Sequence, residues 1–150
     1  MNAPRSDALV LFGVTGDLAH KMIFPALYAM AKQGALKVPV IGVAFPKWSL
    51  ERLRKRVTDS IKRSGGIDNQ RALHHLLSLF SYVSGDYKDQ ATFTAIKSAL
   101  GSARRPAHYL AIPPDRFILS VTRLRRRSRL HFGKATPITG TLRVPRFVIA

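Results

Sequence analysis

The feature that most constrains the fold is an apolar run followed at once by a pair of glycines. Residues 8–12, Ala-Leu-Val-Leu-Phe, are apolar without interruption, which is typical of a strand buried on both faces of a parallel sheet. Gly13 and Gly16 follow this run. After them, apolar residues recur at four-residue spacing and predict a helix: Leu18, Met22, Ala26 and Met30. A strand, a glycine turn and a helix in this order begin a strand–helix–strand unit.

This first helix contains a proline. Pro25 has no N–H to donate to the carbonyl of Lys21, so we expect the helix to kink or restart there. Gly34 is the predicted end of the helix.

The alternation of strand and helix signals continues to residue 114. Three more strand-like runs follow the first helix: residues 38–44, 82–83 and 107–112. Three further helices are predicted, each with a residue that can cap its first turn: Ser49, Asp68 and Asp89. Strands alternating with helices predict an α/β fold with a partial doubly wound, Rossmann-like parallel sheet. We assign residues 7–114 to a dinucleotide-binding domain.

Composition excludes several classes of protein. The chain of 150 residues is 46% hydrophobic and has no cysteine, so it has a globular composition without disulfides or thiolate metal sites. Its longest apolar run is far shorter than the ~20 residues of a membrane span. The first residues do not resemble a secretory signal. We therefore expect a cytoplasmic protein that has no membrane partner and no metal site.

Charge is concentrated at the end of the chain. The formal net charge is +17, and residues 115–150 contain nine basic residues and one acidic residue. The strand–helix alternation stops there, so we expect this basic tail to be irregular, with a weak helix or hairpin or no order. The arginines of residues 123–129 could bind nucleic-acid phosphates, but no aromatic stacking platform accompanies them. Nucleic acid is therefore not the expected partner.

The turn between the first strand and the first helix has the chemistry of a phosphate site. Gly13 permits the tight turn, Gly16 lets the backbone approach a phosphate closely, and Ala19 lets the helix pack on the strand. The free N–H groups and the dipole of the helix start would face a pyrophosphate. The alternative is a plain strand–helix turn, because glycine pairs occur in many turns.

The second strand bears on the choice of dinucleotide. An NAD site usually has an acidic residue at the end of this strand, where it binds the ribose 2′-hydroxyl. Here the strand ends in Ala44-Phe45-Pro46-Lys47 without an acid. Lys47 could attract a 2′-phosphate, or it is simply a solvated loop lysine. NADP is the predicted cofactor, and NAD is the alternative.

Several of these segments resemble glucose-6-phosphate dehydrogenases. Residues 13–19 read G-V-T-G-D-L-A, like the coenzyme loop of that family, and an aromatic–proline pair follows at residues 24–25. Residues 82–87, Y-V-S-G-D-Y, and residues 109–114, Y-L-A-I-P-P, are also similar to family segments and occur in the same order. The resemblance covers about residues 7–114.

The resemblance implies an NADP-dependent oxidoreductase that converts glucose 6-phosphate to its lactone, the entry step of the pentose phosphate pathway. By similarity, six residues would hold the pyrophosphate: Gly13, Val14, Thr15, Gly16, Asp17 and Leu18. Ala111 and Pro113 would border the nicotinamide. Two positions depart from the family. Met22 stands where the family has a substrate-contacting lysine, and Phe45 stands where it has a basic residue for the adenosine phosphate.

The substrate motifs of the family do not occur in residues 115–150. These are an E-K-P-F-G segment, an R-I-D-H segment for the substrate phosphate and the histidine base of a second domain. We therefore assign no catalytic residue and expect no turnover from this chain alone, as in a truncated or frame-shifted copy. Glucose 6-phosphate would be a partner only if a substrate domain were supplied, and the family's oligomer interface is not expected. The alternative function is a non-catalytic nucleotide-binding fragment with a nucleic-acid-binding tail.

Overall fold

A computed structural model describes residues 5–112 and the backbone of residues 147–149. Five strands are present in this part of the chain: β1 (Ala8–Phe12), β2 (Val40–Ala44), β3 (Phe80–Ser84), β4 (Pro106–Leu110) and β5 (Phe147–Ile149). Four α-helices connect or flank them: α1 (Phe24–Lys32), α2 (Leu50–Ser64), α3 (Gln70–Leu79) and α4 (Gln90–Leu100). A π-helical segment, Ala19–Ile23, precedes α1.

The sheet is parallel throughout and has the strand order β3-β2-β1-β4-β5. This confirms the predicted α/β doubly wound architecture. The chain proceeds outward from β1 through β2 to β3, and then crosses to the other side of β1 to form β4. The strand order therefore reverses between β1 and β4. Such a reversal leaves a crevice at the carboxyl ends of the two strands, and open α/β sheets bind their ligands there.

Both faces of β1 are covered, as its continuous apolar sequence predicts. Leu11 faces the cluster that α1, α2 and α3 form with the sheet, and it is fully buried there with Phe24 and Leu53. Val10 and Phe12 face the opposite cluster, which α4 completes. Alternating side chains of one strand thus enter two separate cores, which fixes the position of the strand's carboxyl end.

The predicted interruption of the first helix is confirmed. The backbone N–H of Phe24 bonds to the carbonyl of Ala19, five residues back, and α1 starts at Phe24 with Pro25 in its first turn. The extra residue in this turn lets the chain continue past a proline that cannot donate a hydrogen bond.

Two of the three predicted helix caps are confirmed. Ser49 accepts the N–H of Arg52, and Asp89 accepts the N–H of Ala91. The prediction for Asp68 is wrong.

Asn69 caps α3 instead, through a 3.0 Å bond from Ala72 N–H. The carboxylate of Asp68 is occupied by the Tyr28 hydroxyl and the Lys32 ammonium, each at 2.7 Å. The tertiary partners contributed by α1 thus compete successfully with the local cap.

Two regions differ from the sequence prediction in extent. Strand β3 begins at Phe80, two residues before the predicted run of residues 82–83, because Phe80 pairs with Val40 and packs against Phe24. In the tail, an irregular or hairpin conformation was expected, but Phe147–Ile149 instead pairs in parallel with β4. Most of the tail, including the arginines of residues 123–129, lies outside the described residues.

The pairing of β1 with β4 is reinforced at its start. The carboxylate of Asp7 accepts the backbone N–H groups of Arg104 and Arg105 at 2.7 and 2.8 Å. These bonds, that from Arg104 above all, lower the pKa of Asp7.

Among the described residues, none of the helices combines the length and apolarity that crossing a membrane requires.

Candidate functional site

The predicted phosphate loop lies at the point where the strand order reverses. The glycine loop, residues 13–18, follows the carboxyl end of β1, and Ala111 follows the carboxyl end of β4 beside it. The N–H of Ala111 donates to the carbonyl of Phe12 at 3.0 Å. The structure therefore brings together two parts of the predicted site that are about a hundred residues apart in the chain. Pro113 lies outside the described residues.

Gly13 occupies a position that only glycine can fill. Its φ is +77°, and a Cβ placed there would lie 2.1 Å from the carbonyl oxygen of Ala111. Its N–H donates to the carbonyl of Val43 at 2.8 Å and to the hydroxyl of Tyr87 at 3.0 Å. Close approach of two backbones and a left-handed conformation thus coincide at the start of the loop.

The remaining loop residues divide into buried and accessible groups. The side chain of Val14 is fully buried. It packs so closely on Gly42 that a Cβ added to this glycine would lie 3.0 Å from the methyl carbons of Val14. Leu18 also packs against the core. Of the residues predicted to contact the pyrophosphate, Val14 and Leu18 therefore pack their side chains against the core, whereas Gly16 and Asp17 are exposed and Thr15 is half-buried. The N–H of Val14 donates to the carbonyl of Val43 at 3.3 Å.

Helical structure begins at Asp17, directly after Gly16. The first amides of a helix have no carbonyl partner within the helix, and with the helix dipole they favour an anion at this end. The Asp17 carboxylate lies 3.9 Å from Lys21 Nζ and 3.8 Å from a guanidinium nitrogen of Arg56. Two cations thus offset the only formal negative charge of the loop.

Lys47 is exposed on the segment between β2 and α2. It makes no hydrogen bond or ion pair with a described residue, so no such contact joins it to the glycine loop.

The side chains at the two positions that depart from the family pattern, Met22 and Phe45, are each 64% exposed. Both present apolar surface where the family resemblance implies a cation.

Tyr87 is a residue of the site that the sequence analysis missed. Its hydroxyl bonds to Gly13 N–H and donates to the Val43 carbonyl at 3.3 Å, and its ring packs edge-on against Phe12 at 5.7 Å. It therefore joins the first residue of the glycine loop to the end of β2. The segment Gly85-Asp86-Tyr87, which directly follows β3, was a signal for such a role because side chains at that strand end lie near the loop.

The strand beneath the loop contains a buried histidine. His108 on β4 is 5% exposed and stacks on Phe12, with ring centroids 6.4 Å apart. Burial lowers its pKa from 6.5 to about 4, so it is neutral at physiological pH. The buried histidine of β4 therefore adds no charge beneath the glycine loop.

Comparison with known proteins decides the family. Residues 10–140 match the family described as "Glucose-6-phosphate dehydrogenase, NAD binding domain". The chain belongs to the glucose-6-phosphate dehydrogenase family. The matched range starts within β1 and includes the whole glycine loop and Ala111. It also continues past Pro114, where the resemblance in sequence was expected to stop.

Individual members of the family agree with this assignment. Glucose-6-phosphate 1-dehydrogenase 1 of Mycobacterium tuberculosis is 39% identical over 134 residues, which are 86% of this chain and 28% of that protein. The cytoplasmic isoform of Solanum tuberosum is 35% identical over 130 residues, covering 76% of this chain and 25% of that protein. The chain thus spans about a quarter of the length of these relatives.

Solved structures agree as well. The crystal structure of glucose-6-phosphate 1-dehydrogenase from Mycobacterium avium superposes with a TM-score of 0.77 at 38% identity, covering 81% of this chain and 26% of that one. A glucose-6-phosphate dehydrogenase in complex with glucose 6-phosphate gives a TM-score of 0.73 at 30% identity, covering 83% and 28%. These comparisons lend no support to the alternative of a nucleic-acid-binding tail.

Proposed function

We propose that the glycine loop binds the pyrophosphate of NADP and that the chain is the coenzyme-binding part of a glucose-6-phosphate dehydrogenase. The observation that carries this proposal is the approach of Gly13 to Ala111 at the reversal of strand order. A dinucleotide placed there would have its phosphates over the exposed Gly16 and the helix start. Its nicotinamide end would point toward Ala111. The family resemblance adds Pro113 as a second residue that would border the nicotinamide.

The roles of the individual residues follow from their exposure. Thr15, Gly16 and Asp17 are accessible on the loop, whereas Val14 and Leu18 support the loop from the core. Tyr87 holds Gly13 in place through its hydroxyl. These residues bind and orient the cofactor, which supplies the hydride chemistry when it is bound.

The choice of NADP over NAD rests on charge at the end of β2. Residues 44–47 contain no carboxylate that would repel a 2′-phosphate, and Lys47 contributes a cation there. Phe45 cannot replace the missing basic residue, so we expect the preference for NADP to be modest. A Lys47→Gln variant tests this choice, because it would weaken NADP binding and leave NAD binding unchanged.

The oxidation of glucose 6-phosphate is the reaction that family membership proposes for a complete enzyme in the cytoplasm. Hydride transfer requires the sugar to be held against the nicotinamide while a base removes its hydroxyl proton. The motifs that perform these tasks in the family do not occur in these 150 residues. We therefore propose that this chain alone binds cofactor without turnover.

Isothermal titration of the purified chain with NADP and with NAD, followed by an assay for NADPH formation with glucose 6-phosphate, tests both parts. We expect saturable binding of NADP, weaker binding of NAD and no NADPH formation. A folded chain that fails to bind NADP at millimolar concentration would overturn the binding proposal. NADPH formation that depends on glucose 6-phosphate would overturn the proposed inactivity.

A further inference from the structure

A second feature of the surface lies beside the glycine loop and is strongly basic. Helix α2, the residue before its cap and the π-helical segment enclose an open cleft of about 280 Å³. We call it the basic cleft and define it by six residues: His20, Trp48, Arg52, Lys55, Arg56 and Arg63. The only carboxylate that lines it among the described residues is that of Asp59.

The cations of the cleft lie along one side of α2. Arg52, Lys55, Arg56 and Arg63 follow helical spacing, whereas the opposite side of the helix buries Leu53, Val57 and Ile61 in the core. The buried hydroxyl of Ser60 donates to the carbonyl of His20 and joins α2 to the π-helical segment. The cleft is therefore built on packed elements.

Trp48 brings two of these cations together. The guanidinium carbon of Arg52 lies 4.5 Å from the centroid of the Trp48 ring, and that of Arg56 lies 5.8 Å from it. Stacking on an aromatic ring orients a guanidinium and leaves its N–H edge free for hydrogen bonds. Two like charges held at one ring repel each other unless an anion lies between them.

The described residues supply little of the compensating negative charge. Asp17 is 82% exposed and 3.8 Å from Arg56, a distance at which an exposed pair contributes little. The buried Nε of Arg56 and the buried Nδ1 of His20 have no hydrogen-bond partner among the described residues. The cleft thus has an excess of positive charge and of unpaired polar groups.

We propose that the basic cleft binds a phosphate-class dianion at a site separate from the pyrophosphate position of the glycine loop. Paired guanidiniums fit the oxygens of a phosphate with two parallel hydrogen bonds, and Lys55 and Arg63 add charge around it. The volume suits a phosphate group or a small phosphate monoester. This inference rests on the cleft alone and does not require the glycine loop to bind a dinucleotide.

Trp48 makes the proposal directly measurable, because it is the only tryptophan in the chain. Inorganic phosphate is titrated into the purified chain while its tryptophan fluorescence is recorded, with sodium chloride holding the ionic strength constant. We expect a saturable change as the stacked guanidiniums reorganise around the anion. A fluorescence that does not change, or that changes without saturating, would overturn the proposal.

Two variants separate a built site from general attraction to a basic surface. The double variant Arg52→Gln/Arg56→Gln should weaken phosphate binding by about tenfold or more, because it removes both hydrogen-bonding forks. Lys62→Gln removes a charge from the same helix at an exposed position outside the cleft, and should change the affinity less than about twofold. Equal effects of the double variant and Lys62→Gln would contradict a specific site, as would binding of a polyanion such as heparin without binding of phosphate.

The histidine of the cleft provides a second signal. Burial, and then the charges of Arg56 and Arg63, lower the pKa of His20, while Asp17 and Asp59 oppose the shift. A bound phosphate would favour the protonated ring, so the pKa of His20 measured by NMR should rise on phosphate addition in the wild-type chain. A pKa that does not change at saturating phosphate would place the anion elsewhere.

Competition identifies the source of the phosphate. The titration is repeated with saturating NAD and with saturating NADP, which differ only in the 2′-phosphate. If NADP alone abolishes the phosphate response, the anion occupies the 2′-phosphate position of the dinucleotide, which would overturn a separate site in the cleft. If phosphate binds equally in the presence of both, the site accepts a separate phosphorylated molecule. Only the second result supports a separate phosphate site.

Discussion

The glycine loop and the basic cleft lie next to each other, and Asp17 belongs to one while it pairs with Arg56 of the other. Their construction differs completely. The loop is made of main chain held at close contact, with Gly13 packed against Ala111. The cleft is made of long charged side chains on the solvated side of α2. Steric changes should therefore disable the loop abruptly, whereas changes of charge and salt should modulate the cleft gradually.

The largest effect should come from replacing Gly13 by alanine. The new Cβ would lie 2.1 Å from the Ala111 carbonyl oxygen at a φ of +77°, so the strand ends must separate. We expect a loss of at least about 3 kcal/mol in the free energy of unfolding and loss of NADP binding, measured by urea unfolding and calorimetry.

Gly34→Ala is the matched control. Its φ is +68°, but a Cβ there meets nothing within 4 Å, so it isolates the cost of the backbone conformation at about 1 kcal/mol. Equal destabilisation by the two variants would show that contact with Ala111 does not determine the loop.

The next largest effect is that of pH on the free energy of unfolding, through His108 on β4. Because burial lowers the pKa of His108 from 6.5 to about 4, the unfolded chain binds a proton between these values that the folded chain does not. The free energy of unfolding should therefore fall as pH falls below 6.5, by about 2 kcal/mol between pH 7 and pH 5.

Urea unfolding at several pH values checks this, and His108→Gln should remove most of the dependence. His20 contributes in the same direction, since its pKa is also lowered. The variant His20→Gln should nevertheless retain the larger part of the slope. A His108→Gln chain with an unchanged slope would contradict the assignment.

A smaller effect is expected from Tyr87→Phe. The variant removes the hydroxyl that contacts Gly13 N–H and the Val43 carbonyl, while the ring still packs on Phe12. Since Gly13 N–H keeps its bond to Val43, we expect a loss of about 1 kcal/mol in stability and weaker NADP binding.

Tyr109→Phe serves as its comparison, because the described residues offer no hydrogen-bond partner to the Tyr109 hydroxyl. That variant should leave thermal stability and NADP affinity near the wild-type values. If both tyrosine variants behaved alike, the bond from Gly13 to Tyr87 would have no role in shaping the loop.

The smallest expected effect is that of salt on the pKa values of two histidines, His20 in the basic cleft and His108 beneath the glycine loop. The pKa of His20 is lowered partly by the charges of Arg56 and Arg63, whereas burial alone lowers that of His108. Raising the salt concentration from about 0.05 M to about 0.5 M screens the arginines, so the pKa of His20 should rise. The pKa of His108 should stay constant in the same NMR titration, and a parallel change in both would remove the electrostatic distinction.

Much of the fold was predictable because local signals and tertiary packing agree there. The run Ala8–Phe12 is apolar on both faces and lies between two cores, and Pro25 must interrupt its helix wherever that helix packs. Prediction failed where a distant partner decides the outcome. Asp68 is a good cap by its own chemistry, but Tyr28 and Lys32 occupy its carboxylate.

The same rule holds for the candidate site: residues with a local signal were predictable, and contacts between distant residues were not. Gly13 and Gly16 stand out by spacing, since only backbone geometry is needed to interpret them. The contact of Tyr87 with Gly13 joins residues 74 positions apart, and no periodicity reports such a contact. The pairing of Arg52 and Arg56 on Trp48 is likewise invisible in sequence, because the same arginines also fit the solvated side of an amphipathic helix.

The pairing of β1 with both β2 and β4 has a consequence for how the chain is made. During synthesis β2 leaves the ribosome well before β4, so β1 can pair with β2 while its other edge has to wait for residues 104–110. Until then Asp7 lacks the amides of Arg104 and Arg105, and β1 lacks its pairing partner on that side. A nascent chain that stalls before β4 therefore exposes the centre of its sheet, and this interval of synthesis is when the protein most needs a chaperone.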